Sequence, residues 1–208
     1  MNNIKNTGLY DESFEHDACG IGAIASIDGI KSHKIVEDAL NILIHLEHRG
    51  GTGAESNSGD GAGILVQIPH EYFSSLDLGF KIGCEGSYGV AQIFTSKNET
   101  IKNKSFEIVL NRLNDVKLKA LGIRKVPFNS LELGMQAKNS LPGIYQFFID
   151  RPEGETELEF ERHLYLARRL IEKEALSLEL SDFYICSMSA KTIVYKGMLV
   201  STQVQNFY

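Results

Sequence analysis

The sequence has no apolar run approaching the roughly 18 residues of a membrane span. Its longest apolar stretches, such as Gly63-Ile64-Leu65-Val66, have the length of a strand. No secretory signal is expected, since the first 18 residues carry Asp11, Glu12, Glu15 and Asp17 and no apolar core. Cysteine is scarce: Cys19, Cys84 and Cys186 are widely spaced and form no CxxC pair, which argues against a zinc ribbon or a metal cluster within this chain. Basic clusters with interleaved aromatics are also missing. With 21 basic against 27 acidic residues the formal charge is −6, so nucleic acid is not the expected partner. These absences leave a cytoplasmic protein with unpaired thiols and no membrane association as the expectation.

What is present is globular. A chain of 208 residues with 43% hydrophobic and 23% charged residues can bury a sizeable core, as one large domain or as one domain with an incomplete neighbour. Residues 1–18 are polar, acidic and aperiodic, and read as a leader. Residues 19–27, Cys-Gly-Ile-Gly-Ala-Ile-Ala-Ser-Ile, are small, apolar and alternating, which predicts a buried strand ended by Asp28-Gly29. Ser32 is an N-cap for a helix to about His48, with Ile35, Val36, Ala39, Leu40, Leu43 and Leu46 on one face.

A glycine-dense loop follows (Gly50, Gly51, Gly53, Gly59, Gly61, Gly63), then a short strand to Ile68 closed by Pro69. Beyond it the pattern predicts a strand near 86–95, a helix near 98–119 and a strand near 121–126. An irregular segment over 127–142 leads to a strand at 143–150. Thr156-x-x-Glu159 is a capping box for a helix over about 156–176. Strands near 182–189 and 191–196 read as a hairpin. Three long helices among antiparallel-looking strands predict α+β layers.

Two segments hold candidate chemistry. Cys19 is followed by Gly20 and Gly22, which allow close approach of another backbone or a ligand. A thiol attacks only as its thiolate, so it needs a base. Cleavage between Ala18 and Cys19 would put an α-amine, with an ordinary pKa near about 8, on the residue that carries the thiol. The alternative is a buried structural cysteine. The second segment is Leu46-Glu47-His48-Arg49-Gly50-Gly51 running into Asn57-Ser58-Gly59-Asp60-Gly61-Ala62-Gly63. A phosphate cradle would need a following Gly-Lys-Ser/Thr, and a metal site from His45 and His48 lacks a third ligand. A helix C-cap and a tight loop before a strand is the plainer reading. Cys84 and Cys186 have no neighbouring base and read as structural, and Lys191 and Lys196 as solvated.

The order His16-Asp17-Ala18-Cys19-Gly20-Ile21-Gly22, His48-Arg49-Gly50-Gly51, Asn57-Ser58-Gly59-Asp60-Gly61-Ala62-Gly63-Ile64, Tyr184-Ile185-Cys186-Ser187-Met188-Ser189 and Thr192-Ile193-Val194-Tyr195-Lys196-Gly197-Met198-Leu199 resembles one family. It is similar to the N-terminal class II glutamine amidotransferase domain of the glutamate synthase large subunit. The resemblance implies an N-terminal-nucleophile hydrolase, an αββα sandwich incomplete at its C-terminal side. Residues 1–18 would be a propeptide-like leader, and 19–208 the N-terminal part of the domain.

The resemblance further implies that Cys19 is the catalytic nucleophile, attacking the glutamine side-chain amide with its own α-amine as base, and that Arg49 supports the active site. Ammonia would pass to 2-oxoglutarate in other domains of the same chain to make glutamate. No cofactor is expected in this segment; FMN and an iron–sulfur cluster are expected in the complete enzyme, with an electron-donating subunit or ferredoxin as partner. The family's glutamine-carboxylate arginine, Asn-Gly oxyanion hole and amine-binding aspartate follow the Lys-Gly-Met-Leu segment, and no Asn-Gly occurs here. The substrate-binding residues are thus expected beyond residue 208, and the 208-residue chain alone is expected to be inactive. The alternative is a non-enzymatic regulatory or assembly module in which Cys19 is never unmasked.

Overall fold

The computed structural model describes residues 19–49, 55 and 57–208, the side chain of Arg49 excepted. The predicted leader, 1–18, and Gly50, Gly51 and Gly53 of the glycine loop lie outside the described residues. In chain order the elements are α1 (His33–His45), β1 (Ala62–Gln67), α2 (His70–Ser75), β2 (Tyr88–Thr95), α3 (Glu99–Asp115), β3 (Lys119–Lys125), α4 (Met135–Asn139), β4 (Gly143–Asp150), α5 (Glu157–Ser177), β5 (Tyr184–Ser189), β6 (Thr192–Gly197) and α6 (Val204–Phe207). Short 3₁₀ turns at Glu47–Arg49 and Ser201–Gln203 complete them.

Local chemistry sets the helix starts. The Ser32 hydroxyl accepts from the Lys34 N–H at α1, and the Asn98 side chain accepts from Thr100 and Ile101 at α3. At α5 the capping box is complete: Thr156 Oγ1 accepts from the Glu159 N–H while Glu159 accepts from the Thr156 N–H.

Two sheets form. One is four-stranded in the order β3-β4-β2-β5, and the other is the ribbon β1-β6. All pairings are antiparallel. Strand period decides what each face meets. Ala91 and Ile93 of β2, with Phe147 and Ile149 of β4, face Val109 and Leu113 of α3 and Phe160, Leu164 and Ile171 of α5. On the opposite face Val90 and Phe148 meet Ile193 of β6 and Val66 of β1. The ring of Phe148 lies edge-on to Phe73 and Phe80, with centroids 5.0 and 5.3 Å away. On the ribbon's side, Leu40 of α1 packs in a third cluster with Ile64, Leu199 and Phe207. The succession is helices, sheet, ribbon, helix: the expected αββα layering of an α+β fold.

A polar contact also crosses between the sheets. The Gln146 amide donates to Gln92 Oε1 at 2.9 Å and to the Tyr195 hydroxyl at 3.3 Å, and Gln146 Oε1 accepts from Arg124 at 2.8 Å. Buried amides have few such partners to choose from, so the set fixes how the ribbon seats on the larger sheet.

Three expectations need correction. Residues 19–27 form no strand: Ile21 and Ile27 are 94% and 102% exposed. Alternation supplies a face, but a strand also needs a neighbour for its N–H and C=O groups, and none of the ladders among the described residues includes this segment. The β5–β6 hairpin is absent too, because the two strands join different sheets. Their adjoining edges are instead closed by side chains: the Ser187 hydroxyl accepts from the Val194 N–H and Cys186 Sγ donates to the Val194 carbonyl, each across from β5 to β6. The segment 127–142 is not irregular throughout, since it contains α4.

Candidate active site

Cys19 opens the described chain and is exposed. The residues directly after it, 20–24, line a cleft of about 1290 Å³. Val36 and Ile42 of α1, Leu65 of β1 and Met198 supply much of its apolar wall. A cleft of this size exceeds what one amino acid fills, and its lining is mostly apolar with a few charged groups, as expected of a ligand site.

The glycine motif shapes the wall. Gly63 and Lys196 are directly opposite in the β1–β6 ladder, and Ala62 faces Gly197. A Cβ at Gly59 would sit 2.3 Å from the Leu199 carbonyl oxygen, and one at Gly63 would sit 2.4 Å from that of Tyr195. Gly61 has φ of +143°, which L side chains rarely adopt. These glycines therefore let backbone pack on backbone. Of the readings open to the loop, the plainer one holds for 59–63: a tight entry into a strand.

Charged groups reach the same cleft. Lys196, expected to be solvated, instead donates to the Tyr184 hydroxyl at 2.8 Å and lies 4.5 Å from the centre of that ring. It sits on the face of β6 opposite Ile193 and Tyr195, a position that strand alternation would have marked. On the cleft lining Lys31 pairs with Glu85. His70 Nδ1 is hydrogen-bonded to the Tyr88 hydroxyl at 3.2 Å, and burial, helped by the charge of Glu85, pushes that phenol up to about 12.

Arg49 ends the 3₁₀ turn after α1, where the His48 ring and the His45 carbonyl are 3.0 Å apart; the Arg49 side chain lies outside the described residues. Cys186 is buried, as expected for a structural cysteine, and burial pushes its thiol up to about 11, with Lys196 and Arg168 nearby opposing the shift. Cys84 departs from that expectation and is exposed. Among the described residues no three His, Cys, Asp or Glu side chains converge as a metal or iron–sulfur site requires, and no helix is long and apolar enough to cross a membrane.

Comparison with known proteins decides the family. The model of class II glutamine amidotransferases matches residues 19–208. The chain belongs to this family. Its first matched residue is Cys19, so the family boundary coincides with the residue singled out for its thiol. The chain is 41% identical to the glutamate synthase [NADPH] large chain of Bacillus subtilis over 98% of its own length and 13% of that protein. It is 41% identical to the glutamate synthase [NADH] of Saccharomyces cerevisiae over 97% of its length and 10% of the relative's. It is 37% identical to the chloroplastic ferredoxin-dependent glutamate synthase of Spinacia oleracea, over 96% and 12%. The amidotransferase chain thus spans little more than a tenth of these relatives.

Proposed function

We propose that this amidotransferase domain is the glutaminase part of a glutamate synthase and that Cys19 is its nucleophile. The observation that carries the reading is the coincidence of three features at one residue. The family match begins at Cys19, its thiol is exposed, and the next residues line the large cleft. Removal of residues 1–18 frees the Cys19 α-amine, which takes the thiol proton. The thiolate attacks the side-chain amide carbon of glutamine, and the C–N bond breaks as the nitrogen leaves as ammonia. Water then cleaves the γ-glutamyl thioester, releasing glutamate and restoring the thiol. Arg49 holds the surroundings of the nucleophile. Ammonia goes to 2-oxoglutarate in the rest of the polypeptide, where FMN and an iron–sulfur cluster serve the reduction, supplied by an electron-donating subunit or ferredoxin.

Two measurements on the purified full-length protein test this. Mass spectrometry should find Cys19 as the N-terminal residue, and a glutamine-like diazoketone should modify Cys19 and not Cys84 or Cys186. An intact residue 1 or 2 at the N-terminus, with no labelling of Cys19, would establish the non-enzymatic assembly module instead.

A further inference from the structure

We propose that Gln203 is a positioning residue for glutamine cleavage, acting through the loop 57–61 that enters the cleft wall. The proposal rests on the glutaminase reading above. Gln203 is 6% exposed, and both its amide donors and its carbonyl oxygen are engaged. Its carbonyl oxygen accepts from the Val200 N–H at 3.0 Å, and its nitrogen donates to the Asn57 carbonyl at 3.1 Å and to the Glu132 carbonyl at 2.9 Å. One side chain thus joins three segments, two of them 146 and 71 residues away in sequence.

The loop is held at the same point from a second direction. The Gly134 N–H donates to the Asn57 carbonyl at 2.9 Å, and Glu55 accepts from the Ser58 hydroxyl and from the Gln136 N–H. A Cβ at Gly134 would lie 2.3 Å from Ser58 Oγ and 2.4 Å from Glu55 Oε2, so a side chain there would displace the Ser58–Glu55 pair. Two residues on, Asp60 and Gly61 line the cleft that residues 20–24 also line. The loop therefore has one fixed end at Asn57 and one at the β1–β6 ladder. Gln203 supplies a side-chain donor to the Asn57 carbonyl from a segment 146 residues away in sequence. If Asn57 moves, the cleft wall at Asp60 and Gly61 moves with it, and small displacements of groups that orient substrate are costly in rate.

The test compares Gln203→Glu with Asn206→Ala in the full-length protein. Gln203→Glu keeps the shape but turns a carboxylate toward two carbonyl oxygens. Asn206→Ala removes a bond from the same tail to the Glu132 carboxylate and leaves Asn57 untouched. In Gln203→Glu, Cys19 modification by a glutamine-like diazoketone should slow by about tenfold or more, while its alkylation by iodoacetamide stays within about twofold. Amide hydrogen exchange over 57–61 should rise, and Asn206→Ala should do none of this. Gln203→Met, which removes both donors without adding charge, is read the same way if the glutamate variant does not fold. Unchanged exchange over 57–61, unchanged diazoketone labelling, or equal effects from Asn206→Ala would overturn the proposal. Absence of diazoketone labelling in the unmodified protein would overturn the glutaminase reading instead, and the fixing of the loop by Gln203 would then stand or fall on the exchange data.

Discussion

Gly63 of β1 and Lys196 of β6 are directly opposite in the ladder, so close that a Cβ on Gly63 would lie 2.4 Å from Lys196 Cβ and 2.8 Å from Lys196 Cα. The Gly-Asp-Gly-Ala-Gly and Tyr-Lys-Gly-Met segments, far apart in sequence, are thereby two halves of one structure. The glycine is there for the strand, and the lysine it admits faces the cleft.

Gly63→Ala should consequently destabilise the protein by about 1–3 kcal/mol, because the neighbour it meets is backbone and not the flexible end of a side chain. Urea denaturation checks this: the midpoint should fall with little change in slope. A neutral effect would mean that the ribbon can separate without loss.

Cys19→Ala in the full-length protein should abolish glutamine-dependent glutamate formation and spare synthesis from added ammonia. Only amide cleavage needs a thiolate. Steady-state assays with each nitrogen donor measure both. Glutamine use at a normal rate in this variant would remove Cys19 from the mechanism.

Thiol chemistry should divide the three cysteines. Cys19 and Cys84 are exposed, whereas Cys186 is buried with its thiol pushed up to about 11, so at pH 8 only about a thousandth of it is thiolate. Alkylation followed by peptide mapping should show Cys186 reacting only on unfolding. Reaction of Cys186 in the native state at a rate near that of Cys84 would contradict the burial.

Stability should fall in alkali. Burial raises both the Tyr88 phenol, to about 12, and the Cys186 thiol, to about 11, above their ordinary values of 10.0 and 9.0. Their neutral forms are favoured in the fold, so their contribution is fully present below pH 9 and is lost as pH rises through 11 to 12. Melting temperatures across pH 7–12 should be flat and then drop. In Tyr88→Phe the upper part of that drop should shrink, at the cost of about 1 kcal/mol at neutral pH for the lost bond to His70.

Thr156→Ala should cost about 1 kcal/mol, within the usual 0.5–2 kcal/mol range for an N-cap, since it removes the hydroxyl that accepts from the Glu159 N–H. Thermal unfolding beside Thr156→Ser, which keeps the hydroxyl, checks the assignment. Equal losses in the two variants would exclude the cap.

By itself the sequence determined most of the local elements and singled out Cys19 as the candidate nucleophile. β4 falls at Gly143–Asp150 as the pattern predicts, and Ser32 and Thr156 start their helices, because strand period and capping depend on residues within a turn or two. Cys19 was legible because its surroundings change abruptly there in composition. The tertiary structure alone decided that 19–27 has no ladder among the described residues and that β5 and β6 part into two sheets. It also decided the bonds that Gln203 makes to segments at Asn57 and Glu132, for which a lone amide carries no sequence signal. Each of these depends on which backbone groups find partners across scores of residues, a question of packing that periodicity cannot answer.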